Sequence, residues 1–404
     1  MKDRRWWRLG WGGLLLLVAL AAVLLTGALH VRSGDETLRR ISTNSMDVHA
    51  DFDSFWRSAE AGLEERDIYL TGARLVNLNP PFWTLVVLPF GLMEPLHAYR
   101  LFVLITLCIT VGAVAWMAGE LRLRAGWAVV AAGAVLVSSP FLATLALGQM
   151  YPILTLGLVA AWVLDRRGQN VPSGLVLGLM MALKPSLGLL MLWPAVRKKW
   201  DAVGATIASG AGATLLATLA FGPQATYRYA EVVLETDVDG FWDNASIVGT
   251  VTRMFTETRY AEPLAVLPWL VPASYGLGLA LIILTAIKAR DGSELGLWAL
   301  VAASLLASPI AWNNYLLLLV PGVLILLARG RVALALLLLS LQLIPLQWPS
   351  LWNDSDTILA TLALGLYTYG LGVHWLSFLT GGKGSRRDPR TTTTPVKENV
   401  PEPG

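Results

Sequence analysis

The sequence predicts an all-α membrane protein whose chain forms about 11–13 membrane helices, because apolar runs near 20 residues recur along it. Hydrophobic residues make up 55% of its 404 residues and charged residues only 15%, whereas soluble domains carry roughly 25% charged residues. The mean hydropathy is +0.57. A single apolar run would serve only as a membrane anchor. With this many apolar runs, most of the fold is expected to lie within the bilayer.

Each apolar run is interpreted as one membrane segment. The first run, Leu14–Leu29, is expected to be retained as a helix, because no clear signal-peptide cleavage site follows it. Several runs are shorter than a full crossing and predict tilted or half-length helices buried against their neighbours. The predicted segments are 10–30, 98–119, 126–143, 150–165, 173–183, 186–196, 201–221, 263–288, 294–309, 313–329, 332–347 and 357–379.

The loop charges predict the orientation of the chain. With these segments, every basic cluster falls on one side, which the positive-inside rule assigns to the cytoplasm together with both termini. This arrangement requires Pro80–Met93 to be re-entrant or interfacial and 173–196 to turn back at Lys184-Pro185. The protein is then a multi-pass cell-membrane protein that contacts membrane lipids.

Two long loops, 31–97 and 222–262, are expected on the extracytoplasmic side of one domain spanning 1–380. In the first loop, Phe52–Leu63 carries apolar residues at helical spacing, which predicts an amphipathic helix at the membrane interface. Residues 381–404 have no apolar period and predict a disordered cytoplasmic tail.

Composition excludes several classes of function. The single cysteine, Cys108, excludes internal disulfides and cysteine-rich metal sites. No Walker or Rossmann glycine pattern is present, and the four histidines are too scattered for a Ser-His-Asp set. The seventeen tryptophans suit membrane interfaces, so no nucleic-acid partner is expected.

Two carboxylates in the first long loop are candidate catalytic groups. Asp51 and Asp53 lie among aromatic residues shortly after the first helix. A carboxylate beside apolar surface has a raised proton affinity and can act as a general base towards a sugar hydroxyl. The alternatives are a solvated helix cap and a divalent-cation site, for which two carboxylates are a weak signal.

Polar residues also interrupt the apolar runs further along the chain. Gln149 lies in a Gly/Pro turn and can donate to a phosphate or sugar oxygen, although a plain turn is the alternative. Lys184 stands beside a proline inside an otherwise uncharged run, where an ammonium can meet an anionic head group or extend to the interface.

Two later interruptions carry amides, an indole and a guanidinium. Trp312 and Asn314 lie in Ser308–Tyr315, where they suit stacking on a sugar and hydroxyl recognition. In the second long loop, Asn244 offers an amide donor. Arg253 is a candidate for bidentate phosphate contact, with a plain surface charge as the alternative.

These interruptions, in this order, resemble glycosyltransferase family 87, a polyprenyl-phosphate-sugar-dependent family of the GT-C superfamily. The resemblance covers about 31–330, and its motifs are specific only as an ordered set. The matching motifs are Asp51-Phe52-Asp53-Ser54-Phe55-Trp56, Asp67-Ile68-Tyr69, Asn79-Pro80-Pro81-Phe82, Gly148-Gln149, Leu183-Lys184-Pro185, Asn244-Ala245-Ser246 with Arg253, and Ser308-Pro309 with Trp312. The chain departs from the family at Asn313-Asn314-Tyr315, where members often carry a histidine.

The resemblance implies a GT-C bundle that moves a sugar from a polyprenyl-phosphate donor to a hydroxyl of an envelope glycolipid or glycan, with inversion. Mannose is the expected sugar and arabinofuranose the alternative. Asp51 is the implied catalytic base, with Asp53 as the fallback. Asp53 and Tyr69 also join the substrate-binding residues. The lipid-linked sugar is a co-substrate, and neither a cofactor nor a divalent metal is expected.

Two other classes of function remain open. A secondary transporter or flippase of lipid-linked sugars could use Lys184 and the acidic residues as a substrate or proton pathway. However, the polar groups gather at one face, whereas carriers bind their substrates near the midplane. A non-catalytic scaffold of envelope assembly is the second alternative.

Overall fold

The computed structural model describes residues 3–236, 238, 240–345 and 358–381, and every regular element within them is a helix. The first half of the chain forms α1 (Asp3–Ser42), α2 (Ala50–Leu63), α3 (Pro81–Val87), α4 (Pro95–Glu120), α5 (Ala125–Leu136), α6 (Ser139–Leu147), α7 (Tyr151–Arg166), α8 (Asn170–Leu183) and α9 (Leu192–Val196). The second half forms α10 (Trp200–Phe221), α11 (Pro223–Glu235), α12 (Ile247–Phe255), α13 (Leu270–Ala289), α14 (Gly296–Ala307), α15 (Val320–Ala328), α16 (Val332–Leu341), α17 (Ile358–Ala363) and α18 (Leu366–Thr380).

Short 3-10 helices adjoin several of these elements. They are Met46–Val48, Leu88–Leu92, Pro185–Met191 and Asn313–Leu319. Leu88–Leu92 directly follows α3, Pro185–Met191 directly precedes α9, and Asn313–Leu319 directly precedes α15. Each of these three 3-10 helices therefore extends an apolar α-helix. The narrower 3-10 turn lets the chain change direction where a proline or polar residue interrupts the α-helical hydrogen bonds.

Four helices within the described residues are long and apolar enough to cross a bilayer: Gly13–Arg32 of α1, then α4, α10 and α13. A fifth crossing is formed if α5 and α6, which meet at an angle of 50°, are one broken span. This confirms the predicted all-α polytopic class. The predicted segments 173–183, 186–196, 294–309 and 313–329 and the described part of 332–347 contain shorter apolar helices. The segment 150–165 corresponds to α7, and the described part of 357–379 to α17 and α18; residues 346–357 lie outside the described residues. The number of full crossings stays a prediction.

Some element boundaries differ from the predicted ones. The helix predicted for 10–30 is longer in the structure, where α1 spans Asp3–Ser42. The charged residues after the apolar run are compatible with helical structure, so the helix continues beyond that run. The segment predicted for 126–143 is broken after Leu136, and α6 starts anew with Pro140 in its first turn. Most residues of the predicted tail 381–404 lie outside the described residues.

The predicted amphipathic helix of the first long loop is confirmed as α2, but its apolar face packs on protein. Phe52, Phe55 and Ala59 are buried, and the Phe52 ring lies 5.2 Å from that of Phe102 on α4. The helix therefore belongs to the core of the bundle, which anchors its first-turn carboxylates.

Ion pairs connect several helix ends at one end of the bundle. Arg166 and Arg329 reach Glu294 at 2.8 and 3.0 Å, and Arg197 reaches Asp165 at 2.8 Å. The basic clusters that end α7, α9 and α15 thus lie together, as the predicted topology requires of segments ending on the same side.

Candidate active site

Three groups that are far apart in sequence meet at the N-terminal end of α2. The Gln149 amide lies near the Asp51 carboxylate and favours its charged form as a hydrogen-bond donor, and the Lys184 ammonium attracts the same carboxylate electrostatically. All three side chains are partly exposed. A carboxylate, an amide and an ammonium are thus accessible together at one position.

The pKa of Asp51 is raised above its ordinary value, and the largest cause is desolvation of the carboxylate by the surrounding protein, although the residue keeps some exposed surface. Desolvation disfavours the charged carboxylate, while the Gln149 hydrogen bond and the Lys184 charge oppose this effect and lower the pKa. A carboxyl group with a raised proton affinity is suited to accept a proton from a hydroxyl.

The turn between α6 and α7 brings Gln149 to Asp51. Gly148 ends α6 in the left-handed conformation, with φ of 74°, and a Cβ added there would lie 2.4 Å from Cβ of Phe52. The turn therefore lies directly against the first turn of α2. Only glycine meets both the conformation and the close approach.

We expect Gly148→Ala to destabilise the protein and reduce activity more than Gly72→Ala does. Both glycines have positive φ, 74° and 69°, but Gly72 has no atom within 4 Å of an added Cβ. Both variants carry the backbone strain, and only Gly148→Ala also pushes α2 away from the turn. Thermal unfolding in detergent measures the difference, and equal losses of stability in the two variants would contradict this account of the contact.

Lys184 lies between α8 and the following 3-10 helix, in an extended conformation. Its Nζ donates to Oδ1 of Asn79 at 3.3 Å and stands 5.3 Å from the centre of the Tyr315 ring. Because an aromatic face and one amide oxygen leave the ammonium with donor capacity, Lys184 can still bind an anion.

Tyr69 reaches this site indirectly. Its hydroxyl donates to the backbone oxygen of Asn79 at 2.8 Å, so a single residue separates Tyr69 from Lys184. Asn79 lies in one of the motifs of the family resemblance, but the sequence assigns no role to its side chain. An amide that holds a cationic side chain has no sequence signature apart from the fold.

The segments 241–246 and 309–313 are joined by five hydrogen bonds, and we call this pairing the clasp. Asn244 Nδ2 donates to the Pro309 oxygen at 3.1 Å and Asn244 Oδ1 accepts from the Ala311 N–H at 3.0 Å. The other three bonds are Ala245 N to Ala311 O at 2.7 Å, Ser246 Oγ to Pro309 O at 3.3 Å and Asn313 N to Asp243 Oδ1 at 3.0 Å. The two motifs are therefore parts of one structure.

The clasp presents Trp312 and Asn314 differently. Trp312 is partly exposed, with its ring 6.4 Å from that of Phe241, which leaves an indole face for stacking. Asn314 is 2% exposed, and its amide has no hydrogen-bond partner within the described part of the chain. Their predicted contacts with substrate stay predictions.

Arg253 is fully buried beneath the clasp. Its guanidinium donates to the backbone oxygens of Gly240 and Phe241 at 3.1 and 2.6 Å and to the Thr250 hydroxyl at 3.1 Å. Through these contacts, Arg253 attaches α12 to the loop that contains Asp243. The structure thus gives Arg253 and Asn244 clear supporting roles, and substrate contact by either stays a prediction.

Two further carboxylates differ in their surroundings. Asp53, the fallback base, forms an ion pair with Arg57 one helical turn later at 2.9 Å. Asp243, which sequence reasoning missed, is buried, and its pKa is raised to about 7 by burial and by the negative charge of Asp51, while Arg253 opposes the shift. An Asp in a loop with glycine and tryptophan gives no signal that distinguishes it from a solvated one.

Within the described ranges, no group of three or more His, Cys, Asp or Glu side chains is suited to a metal ion. Whether the transfer reaction requires a metal is a separate question, so the expectation of metal-independent chemistry stays a prediction.

Comparison with known proteins relates the chain to one family and to a curated mycobacterial protein. The profile of glycosyltransferase family 87 matches residues 77–309, a range that starts after Asp51 and is narrower than the 31–330 of the motif resemblance. The chain is also similar to the polyprenol-phosphate-mannose-dependent alpha-(1-2)-phosphatidylinositol mannoside mannosyltransferase of Mycobacterium tuberculosis (strain ATCC 25618 / H37Rv). The two are 25% identical over 322 residues, which cover 72% of this chain and 74% of that protein.

Proposed function

The chain belongs to glycosyltransferase family 87, and from this premise we propose that it transfers mannose from a polyprenyl-phosphate donor to a glycolipid or glycan hydroxyl, with inversion. The observation that carries the proposal is the meeting of Asp51, Gln149 and Lys184. The first can accept a proton, and the last can neutralise a phosphate.

In the proposed reaction, the acceptor oxygen attacks the anomeric carbon of the donor while the bond from that carbon to the phosphate oxygen breaks. Asp51 takes the proton of the acceptor hydroxyl, and the electron pair of the broken bond leaves with the polyprenyl phosphate. Attack opposite the leaving group inverts the anomeric configuration. Lys184 stabilises the negative charge that grows on the phosphate, which is a contribution made mainly in the transition state.

Mannose is favoured over arabinofuranose by the activity in the name of the similar mycobacterial protein. Its name also specifies a phosphatidylinositol mannoside acceptor, which supports a glycolipid acceptor for this chain without identifying it. The loop charges support an extracytoplasmic active site and cytoplasmic termini.

The direct test incubates the purified protein, in vesicles, with a panel of polyprenyl-phosphate sugars and an extract of envelope glycolipids, followed by mass spectrometry. We expect a product heavier by one hexose only with the mannose donor. A product heavier by one pentose would instead indicate that arabinofuranose is the sugar transferred. Transport of donor across the vesicle membrane without any transfer product would favour the flippase alternative.

The pH dependence of transfer tests the electrostatics at Asp51. Because the base must be ionised and its pKa is raised, we expect activity to fall on the acid side at a pH above the ordinary range of aspartate. Gln149→Leu removes a hydrogen bond to the charged form, so the pKa should rise further and the acid limb should move to higher pH.

The control for this experiment is Gln169→Leu, which changes an exposed glutamine just before α8. It should leave the acid limb in place. If the acid limb of the Gln149→Leu variant stays in place or moves to lower pH, a hydrogen bond from Gln149 to the catalytic carboxylate is contradicted.

A further inference from the structure

We propose that α11 lies in the head-group region of the bilayer leaflet on the side of the candidate active site, with its outward face against lipid. The helix is in the second long loop, which the sequence predicts to be extracytoplasmic. Its surface has two apolar faces, and protein covers only one of them within the described part of the chain. The partner that we assign to the other face is the membrane itself.

The inward face of α11 packs on the first long loop. Ala225 forms a buried cluster with Ile68 and Tyr69, and Tyr229 and Val232 of α11 pack against it. Arg228 is directed towards the same loop, where its Nε lies 3.7 Å from a carboxylate oxygen of Asp67. The helix is therefore fixed to the protein along one side.

The opposite face carries no charge. At 100° per residue, Pro223, Tyr227, Ala230 and Leu234 align on it, and all four are exposed. Tyr227 is 67% exposed and Leu234 is 84% exposed. The ionic side chains Glu231 and Glu235 lie on one flank between the two faces, which can point to water while the outward face meets lipid.

The connection to α10 supplies the position of the membrane. This helix is one of the four long apolar spans, and Leu215, Leu216 and Leu219 near its end are exposed, as expected of a surface against acyl chains. Only Gly222 separates α10 from α11. A helix that starts one residue after a span ends begins at the membrane surface, so the apolar face of α11 continues a lipid-facing one.

The proposed placement has a consequence for substrate delivery. The cluster beneath α11 contains Tyr69. The Tyr69 hydroxyl donates a hydrogen bond to the backbone oxygen of Asn79, whose side chain accepts one from Lys184. A helix held at head-group depth would therefore place Lys184 near the depth at which the phosphate of a membrane lipid lies. This step rests on the proposed function, whereas the membrane contact of α11 does not.

Site-directed spin labelling measures this placement without any assay of activity. The chain has one cysteine, Cys108, so Cys108→Ser gives a background for single labels. The full-length protein is labelled in turn at Tyr227→Cys, Leu234→Cys, Glu235→Cys and Leu216→Cys and is placed in phosphatidylethanolamine–phosphatidylglycerol vesicles. Power saturation then compares relaxation by oxygen, which is enriched in lipid, with relaxation by a soluble nickel chelate.

We expect labels at 227 and 234 to respond more strongly to oxygen than to nickel, as the lipid reference at 216 does. The label at 235, on the charged flank, should respond more strongly to nickel. Equal nickel accessibility at 227, 234 and 235 would overturn the proposal. Labels at 227 and 234 that are shielded from both reagents would also overturn it, because another protein surface would then cover the face.

Discussion

We expect Asp51→Asn to lower kcat for sugar transfer by about 10²- to 10⁴-fold, the contribution of a positioned general base. The amide keeps the shape of the carboxylate but cannot accept the proton of the acceptor hydroxyl. Donor and acceptor binding should persist, so the KM values should change little. Initial rates with polyprenyl-phosphate mannose in vesicles measure the effect.

The matched control is Asp53→Asn, two residues along the same helix. This carboxylate is committed to Arg57 at 2.9 Å, and the variant should keep most of the wild-type rate. Normal transfer by Asp51→Asn together with loss of transfer by Asp53→Asn would reverse the two assignments.

The second large effect is expected from Lys184→Met, which should lower kcat by about 10²- to 10³-fold, as does removal of one donor that stabilises developing charge. The KM for the lipid donor should also rise, because the ammonium attracts the phosphate before reaction. Methionine keeps the apolar stem beside Tyr315, so the loss reports mainly on the charge.

Lys184→Arg and Lys198→Met complete the experiment. The arginine variant keeps the positive charge and should recover part of the lost rate. Lys198 is exposed in the turn between α9 and α10, away from the site, and its replacement should leave transfer unchanged. Full activity of Lys184→Met would exclude the ammonium from phosphate stabilisation.

The helical membrane class could be predicted because apolar length and missing charge report directly on the solvent of the fold. The break between α5 and α6 could not be located in the same way. The run 126–143 has few polar residues, and Ser139-Pro140 can either kink a helix or start a new one. Packing of neighbouring helices decides between these outcomes, and hydropathy does not record packing.

Gln149 and Lys184 could be singled out because each is a polar residue that interrupts apolar sequence, and Asp51 because it lies among aromatic residues. Polar residues are costly at membrane depth, so those that interrupt an apolar run indicate a functional site. Asn79 and Asp243 were missed for the opposite reason. Both lie in loops, where polar residues are ordinary, and their significance comes from contacts with Lys184 and the Asn313 backbone.

Asn244 and Arg253 show a different limit. The sequence offers them as a candidate amide donor and a candidate phosphate contact, and both prove to be fully buried. The polar contacts described for them are chiefly with backbone atoms. A sequence motif identifies residues that a protein needs, but a residue that supports a binding loop and one that binds substrate produce the same pattern.

The clasp also constrains how this part of the chain can evolve. The Asn244 amide contacts main-chain atoms of Pro309 and Ala311, and these atoms are present whatever side chains stand at 310 and 312. A lineage could therefore exchange the partly exposed side chains of Ile310 and Trp312 to accommodate another sugar, while position 244 remained an amide. Recognition can diversify on this loop without loss of its shape.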